Sequence, residues 1–536
     1  MAKVLALGLV AVALASVPFT AAGANGRAGG AQLSSARSEA AALQNESVGG
    51  PFTSLCTAGT TFGSNVMANC DSTVLPHNET AVAVDPASSS HLVAGSNDTE
   101  LPPNGASGSA KTVAGYYTSF DGGATWVNGQ VPSGSFTQTS DPSVVFDTSG
   151  RVYYGVVAFD HGLGGRALGG AIQVSSSANG GTTFGAPVIV EQSRNPMTFE
   201  DKPYLAADDN SASPFAGSVY VTWTRFHFAD RAATQYLESP IFLSASRDGG
   251  RTWSTPREIS GANPALCTFS STPLPNDGRC REDQFSSPVV AGNGTIYVAY
   301  ENDQAVNDGQ LRNQYLVVKS ADGGATWSAP VRASDILRDG NSDYPINVLG
   351  RQTLSNSQFR VNSAGNLAID PSSGALDLTW SDNRNGTAAS TNTDVFAARS
   401  LDGGATWSGA MTVSSAANDQ FYPWAAVAPD GTLEISYFDR SYDPANSKYG
   451  ITLATLAPGG GSFGHQRIDT GLSDPNHARW FSSSTNGETT FLGDYNGLAI
   501  GSDAVAHPFW TDMRRVVTVN HATGTTEDAF TTAVGP

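Results

Sequence analysis

Five short segments place an aromatic residue close to a carboxylate or an arginine. They are Trp223-Thr224-Arg225, Tyr300-Glu301-Asn302-Asp303, Trp380-Ser381-Asp382-Asn383-Arg384, Tyr437-Phe438-Asp439-Arg440 and Trp510-Thr511-Asp512-Met513-Arg514. Five more carry acids: Asp141-Pro142, Glu200-Asp201-Lys202, Glu282-Asp283-Gln284, Asp419-Gln420 and Asp494-Tyr495. Carboxyl groups gathered in one depression can divide the roles of general acid and base. The planar guanidinium fork of arginine matches a carboxylate. Such a set suits acid/base chemistry on a polar substrate. The opposing reading is that residues recurring so regularly serve the scaffold. The aspartates would then cap strands or pair with a neighbouring arginine, and Arg384, Arg440 and Arg514 would pair with Asp382, Asp439 and Asp512. Glu301, His161, His227, Arg225, Tyr422 and Tyr495 lack counterparts elsewhere, which favours function over scaffold.

The elements that position these groups follow from a second repeat. Ser119-Phe120-Asp121-Gly122-Gly123-Ala124-Thr125-Trp126 returns around Asn179-Gly180-Gly181-Thr182-Thr183-Phe184, Asp248-Gly249-Gly250-Arg251-Thr252-Trp253, Asp322-Gly323-Gly324-Ala325-Thr326-Trp327 and Asp402-Gly403-Gly404-Ala405-Thr406-Trp407. A decayed sixth copy keeps the glycines and the aromatic, Gly459 to Phe463. The acid or amide caps the backbone beyond it, the glycines take positive φ, and the hydroxyls close a hairpin. Each copy follows a β-rich run and two earlier apolar or alternating runs, so the unit is four strands with the turn joining the third to the fourth. That is a propeller blade, and a repeat of this kind sets the whole fold. The expected class is all-β, a propeller of four-stranded antiparallel blades. Blade starts fall near Thr80, Asp141, Asp201, Asp283, Asn366, Phe421 and Phe491, giving seven blades, with six as the alternative. The last unit has about three strands, and the segment around Cys56–Cys70 would complete it.

The repeated turn resembles the Asp-box, S-x-D-x-G-x-T-W, of BNR-repeat propellers and the sialidase (neuraminidase) superfamily, over about residues 76–536. The resemblance implies that the turns lie on the face opposite the active site and are structural. It implies that three arginines hold a substrate carboxylate, for which Arg384, Arg440 and Arg514 are the candidates, with Arg225 beside them. It further implies a tyrosine nucleophile activated by a glutamate, with an aspartate as acid. Tyr495 or Tyr422 with Glu301 would fill the first roles, and Asp201 or Asp283 the last. The Arg-Ile-Pro type segment found early in sialidases has no counterpart, because no arginine stands between Ser38 and Gly150.

Other features bound the answer. The net charge of −19 argues against nucleic acid and anionic membrane surfaces as partners. Lys3, the apolar run 4–17 and Ala22-Gly23-Ala24 read as an export signal over residues 1–24. Residues 25–50, rich in Ala, Gly and Ser, read as a disordered leader, and 51–536 as one propeller domain. No membrane-spanning segment is expected. The four cysteines form two close pairs, Cys56/Cys70 and Cys267/Cys280, which an exported chain would oxidise locally. A zinc site is the weaker alternative, since no C-x-x-C spacing or histidine partner accompanies either pair. No phosphate loop, serine elbow or zinc-protease motif is present. No cofactor is implied, although the acidic loops leave calcium open. The expectation is a secreted, monomeric, carbohydrate-active propeller acting on a glycan or glycoconjugate, foremost a sialidase-like glycoside hydrolase. A non-catalytic glycan- or protein-binding propeller and a polysaccharide lyase are the alternatives.

Overall fold

The computed structural model describes residues 56–70, 75–100, 111–161, 167–193, 195, 197–230, 235–307, 310–334, 346–348, 351–387, 390–478, 490–519 and 522–536. The signal and leader expected over residues 1–50 lie outside them. Seven antiparallel sheets follow one another along the chain, with strands in sequence order from the inside outwards except for N-terminal strands added at the outer edges of the first and last. Their innermost strands are Asn78–Asp85, Gln138–Phe146, Thr198–Ala207, Asp283–Val290, Leu367–Ile369, Gln420–Val427 and Gly497–Ile500. These match the seven expected blade starts, and the alternative of six falls away. Ring closure is also as expected. Asn65–Met67 pairs with Asp528–Thr531 as the fourth strand of blade 7, and Thr60–Phe62 lies outside it. Cys56–Ala58 instead extends the outer edge of blade 1, so the N-terminal segment stitches the last blade to the first.

The hairpin chemistry is that read from the sequence. In blade 4, Asp322 Oδ1 accepts from the Thr326 amide at 2.8 Å, and Oδ2 accepts from Thr326 Oγ1 at 2.6 Å. Ser320 Oγ accepts from the Gly324 amide, and Gly323 and Gly324 take φ of 69° and 89°. The aromatic that ends each turn packs towards the preceding blade. Trp126 meets Phe509 of blade 7, and Phe184 meets Tyr116 of blade 1. Phe463 of the decayed copy still packs against the core between blades 5 and 6. A fully buried ring such as Trp126 contributes roughly 1.5–3 kcal/mol, so the repeat is an inter-blade device as much as a turn.

Register fixes the two faces. In blade 3, Asp201 stands opposite Thr224 and Thr224 opposite Ile241, at one end of the sheet. Ala207, Val219 and Ser246, where the turn begins, stand at the other. The turns therefore occupy one face, and the starts of the innermost strands occupy the opposite one.

The disulfide Cys267–Cys280 closes a loop before blade 4. Cys70 is disulfide-bonded as well, while the side chain of Cys56 lies outside the described residues. Among the described residues, no helix is long and apolar enough to cross a membrane.

Candidate active site

On the face opposite the turns, the innermost strands share a local irregularity. Each of the first four and the sixth carries a bulge near its start, where the register shifts by an extra residue. The bulged residues Glu79, Asp141, Lys202, Phe285 and Tyr422 have φ between 51° and 58°. A non-glycine residue held there costs about 1 kcal/mol or more, a strain that tends to collect at functional sites. A bulge also re-aims its side chain. Here it turns side chains from separate blades towards the ring axis.

The result is a buried charge cluster drawn from around the ring. Lys202 Nζ of blade 3 lies 2.9 Å from Glu79 Oε1 of blade 1, 3.5 Å from Asp141 Oδ2 of blade 2 and 2.7 Å from Asp494 Oδ2, just ahead of blade 7. Contacts between blades so far apart in the ring are possible only at the axis. Arg360, from the segment joining blades 4 and 5, grips Asp494 through both Nε and Nη2. The Asp141 carboxyl is within hydrogen-bonding reach of both Glu79 and Asp201. Asn97 orients the pair, donating to Glu79 Oε2 and accepting from the Asp141 amide, each at 2.8 Å.

Four carboxyl groups and two cations in one desolvated place cannot all be ionised alike. Burial, reinforced by the Asp141 charge, lifts Glu79 well above the usual carboxylate range. Burial also raises Asp141 against the pull of Lys202, and lifts Asp201 to about 6. Burial acts the same way on Asp494, but the Arg360 guanidinium and the Lys202 ammonium outweigh it and hold that carboxyl well below its ordinary value. The cluster thus sets carboxyls pushed towards the protonated form close to one pushed towards the ionised form.

Aromatic side chains continue the axis beneath. Tyr204, Trp424 and Tyr495 contact one another across the ring, with centroids 5.4 Å and 6.0 Å apart. With Lys202, Phe285 and Ser286 they line a cavity of about 30 Å³. That is room for about two water molecules, not for a sugar.

The segment from Thr353 to Asn362 forms one wall of the face opposite the turns. Leu354, Phe359 and Val361 are buried in the core shared by blades 6 and 7. Arg440 donates to Ser355 O and Asn446 O at 3.0 Å, and Asn362 donates to Asp494 O. Tyr422 donates its hydroxyl to Arg360 O. Three buried apolar side chains make this wall a fixed part of the fold.

The residues singled out from sequence divide into several groups. Arg225, Arg384 and Arg514 each sit in the same blade-internal stack. In blade 5, Trp380 Nε1 and the Arg384 guanidinium both donate to Asp382, and the guanidinium lies 4.2 Å from the Phe396 ring centroid. Blade 7 repeats this with Trp510, Asp512, Arg514 and Phe530. Blade 3 does so with Trp223, Arg225 and Phe242, where Glu200 supplies the carboxylate from the neighbouring strand. Arg384 and Arg514 pair with Asp382 and Asp512 inside one blade rather than between blades. Fully buried Arg440 lies 3.6 Å from Asp419 instead of pairing with Asp439, and burial pulls it down to about 10.

Glu301 accepts from Asn313 Nδ2 and lies near Asp382, with burial raising it to about 7. Asp283 accepts from Asn302 Nδ2 and is likewise lifted by burial to about 7. Both belong to blade 4, and neither is in the Lys202 cluster. Tyr495 donates to Pro142 O, and burial with the charges of Glu79 and Asp141 raises its phenol well above the ordinary value. His227 pairs with Glu238 at 2.8 Å, and the His161 side chain lies outside the described residues. Of the five acids expected to converge, the axis gathers Asp141, Asp201 and Asp494, and of these only Asp201 is an expected catalytic residue. Glu79, Lys202 and Arg360 complete the cluster without being expected site residues. The x-Pro step marks the bulges at Asp141, Lys202 and Tyr422, and so was a signal for Lys202 but not for Glu79 or Arg360.

No protein-family model and no curated protein matches the chain. Among solved structures it is similar to a Dyadobacter fermentans protein of unknown function, at 13% identity over 73% of this chain and 94% of that one, TM-score 0.44. It is also similar to the NanB sialidase of Streptococcus pneumoniae, at 8% identity over 92% and 96%, TM-score 0.43. A third similarity is to the α-L-arabinofuranosidase Arb93A of Fusarium graminearum, at 11% identity over 74% and 95%, TM-score 0.40. At these identities and scores the likeness carries no functional assignment.

Proposed function

We propose that this propeller is an exported glycoside hydrolase whose reacting groups are the axial carboxyls. The observation that carries the reading is the unequal pairing of the axial carboxyls: Asp494 is gripped by both Lys202 and Arg360, which favours its ionised form, while Glu79 is buried beside Asp141 with a share of Lys202 alone, which favours its protonated form. Glycosidic cleavage needs such a division, one carboxyl giving its proton to the leaving oxygen and another stabilising the cation or activating water. Glu79 is the acid in this reading, relayed through Asp141, and Asp201 and Asp494 are the carboxylates. Tyr495 serves as a wall, because its raised pKa and its bond to a carbonyl oppose attack as a phenolate. Export rests on Lys3, the apolar run after it and the Cys267–Cys280 disulfide.

Glycan binding without cleavage is the second reading. It is favoured by the low exposure of the cluster, where the Glu79, Asp494 and Lys202 side chains are 1%, 4% and 11% accessible. The test is the purified protein against a panel of aryl glycosides, with Glu79→Gln alongside. Turnover that falls by roughly 100-fold or more in a folded Glu79→Gln protein supports the hydrolase. Retention of glycans without turnover supports the binder. Turnover unchanged in Glu79→Gln removes the axial acid from the mechanism.

A further inference from the structure

The charge inventory of the axial face bears on what kind of sugar it can take, an inference that rests on the glycan-directed reading above. Among the described residues, six cations on this face already hold partners. Lys202 is shared by Glu79, Asp141 and Asp494, and Arg360 is held in a fork with Asp494. Arg225 is taken by Glu200, Arg384 by Asp382 and Arg514 by Asp512. Arg440 is committed to Asp419, Ser355 and Asn446. Recruiting any of them for a ligand anion would break a desolvated pair and strand a carboxylate, which costs more than the new pair returns.

The acids point the same way. The axis gathers four carboxyl groups against two cations, and Asp201 Oδ1 is buried and accepts from no amide, hydroxyl or cation, the Asp141 carboxyl being the hydrogen-bonding neighbour of Asp201. An unpaired buried acceptor favours a ligand that brings a donor. A sugar hydroxyl or ammonium supplies one, whereas a carboxylate, sulfate or phosphate adds only acceptors and like charge.

We infer that the sugar meeting the axial cluster is non-acidic, recognised through hydroxyl or ammonium donors to Asp201 and its neighbouring carboxyls. The site would then discriminate against the carboxylate that a sialic acid presents, although the repeated turns resemble those of sialidases.

The test is retention of the full-length protein on immobilised glycans in matched pairs, such as lactose against 3′-sialyllactose and galactan against polygalacturonate. Neutral members should be retained, with their acidic partners roughly 10- to 100-fold weaker. Retention of the neutral glycans should change little between low and high salt. Tighter retention of the acidic members overturns the inference while leaving the glycan-directed reading standing. Retention of neither member removes that reading and the inference together. Asp494→Asn, checked for folding by its melting curve, leaves Lys202 and Arg360 short of an anion and should narrow the gap. A folded Asp494→Asn protein with the parent's preference overturns the assignment to this cluster.

Discussion

Replacing Lys202 with methionine keeps most of the side-chain volume and removes the one ammonium shared by Glu79, Asp141 and Asp494. Losing one partner of a buried pair leaves uncompensated charge and typically costs about 3–5 kcal/mol. For 536 residues the unfolding entropy is about 1.1 kcal/mol per degree, so the melting temperature should drop by about 3–5 °C. The loss should also depend on pH. Glu79 and Asp141 already have folded pKa values above their ordinary ones, and removing the ammonium lifts them further. A carboxyl with a raised folded pKa holds a proton that the unfolded chain gives up, so its stability contribution falls as pH rises between the two values. Asp494 loses a favourable partner at every pH where the unfolded carboxyl is ionised. The deficit should therefore be larger at pH 8 than at pH 5. Calorimetric melts of parent and variant at both values decide it. A drop below about 1 °C, or the same drop at both pH values, would refute the picture of an ammonium pinning three blades.

Three further outcomes follow from other parts of the molecule. Arg440→Met should cost about 3 kcal/mol in urea unfolding, because buried Arg440 ties Ser355 and Asn446 to blade 6; Arg440→Lys should recover little, since one ammonium cannot span that fork. Asp402→Ala removes a turn carboxylate held near pKa 2 by Thr406, and should loosen its hairpin while leaving glycan binding within about 2-fold of the parent. Glu200, Asp283, Glu301, Glu434 and Glu527 are each lifted by burial to about 7. Stability should therefore fall as pH rises from about 4.5 to 7 and level off above, as melts across that range would report.

The fold was legible because the repeat is chemical. Asp121, Asn179, Asp248, Asp322 and Asp402 each cap the same turn, so each copy marks a blade and the intervals between copies mark its other strands. Closure by Asn65–Met67 could be inferred from the missing strand of the last unit. The site was legible only in part. Asp201 stood out as an acid opening a blade, but nothing local distinguishes it from Asp283, which stays within blade 4. Glu79 and Lys202 reach the axis because of a backbone bulge, which leaves an x-Pro trace at Lys202, as at Asp141 and Tyr422, but none at Glu79, where Thr80 follows. Arg360 left no trace, since it lies outside the repeat and meets a partner 134 positions away. The recurrence of the arginines has a physical reason. Arg384 and Arg514 recur with Trp and Asp because each blade stack needs an indole, a carboxylate and a guanidinium together.

On the proposed function, the axial carboxyls, and not the repeated turns, are where this propeller meets its glycan. The most direct measurement compares glycan turnover and retention by the parent, Glu79→Gln and Asp402→Ala proteins, each shown to be folded. The axis accounts for function if Glu79→Gln loses turnover or retention while Asp402→Ala keeps both. A folded Glu79→Gln protein that acts on and holds glycans like the parent contradicts it.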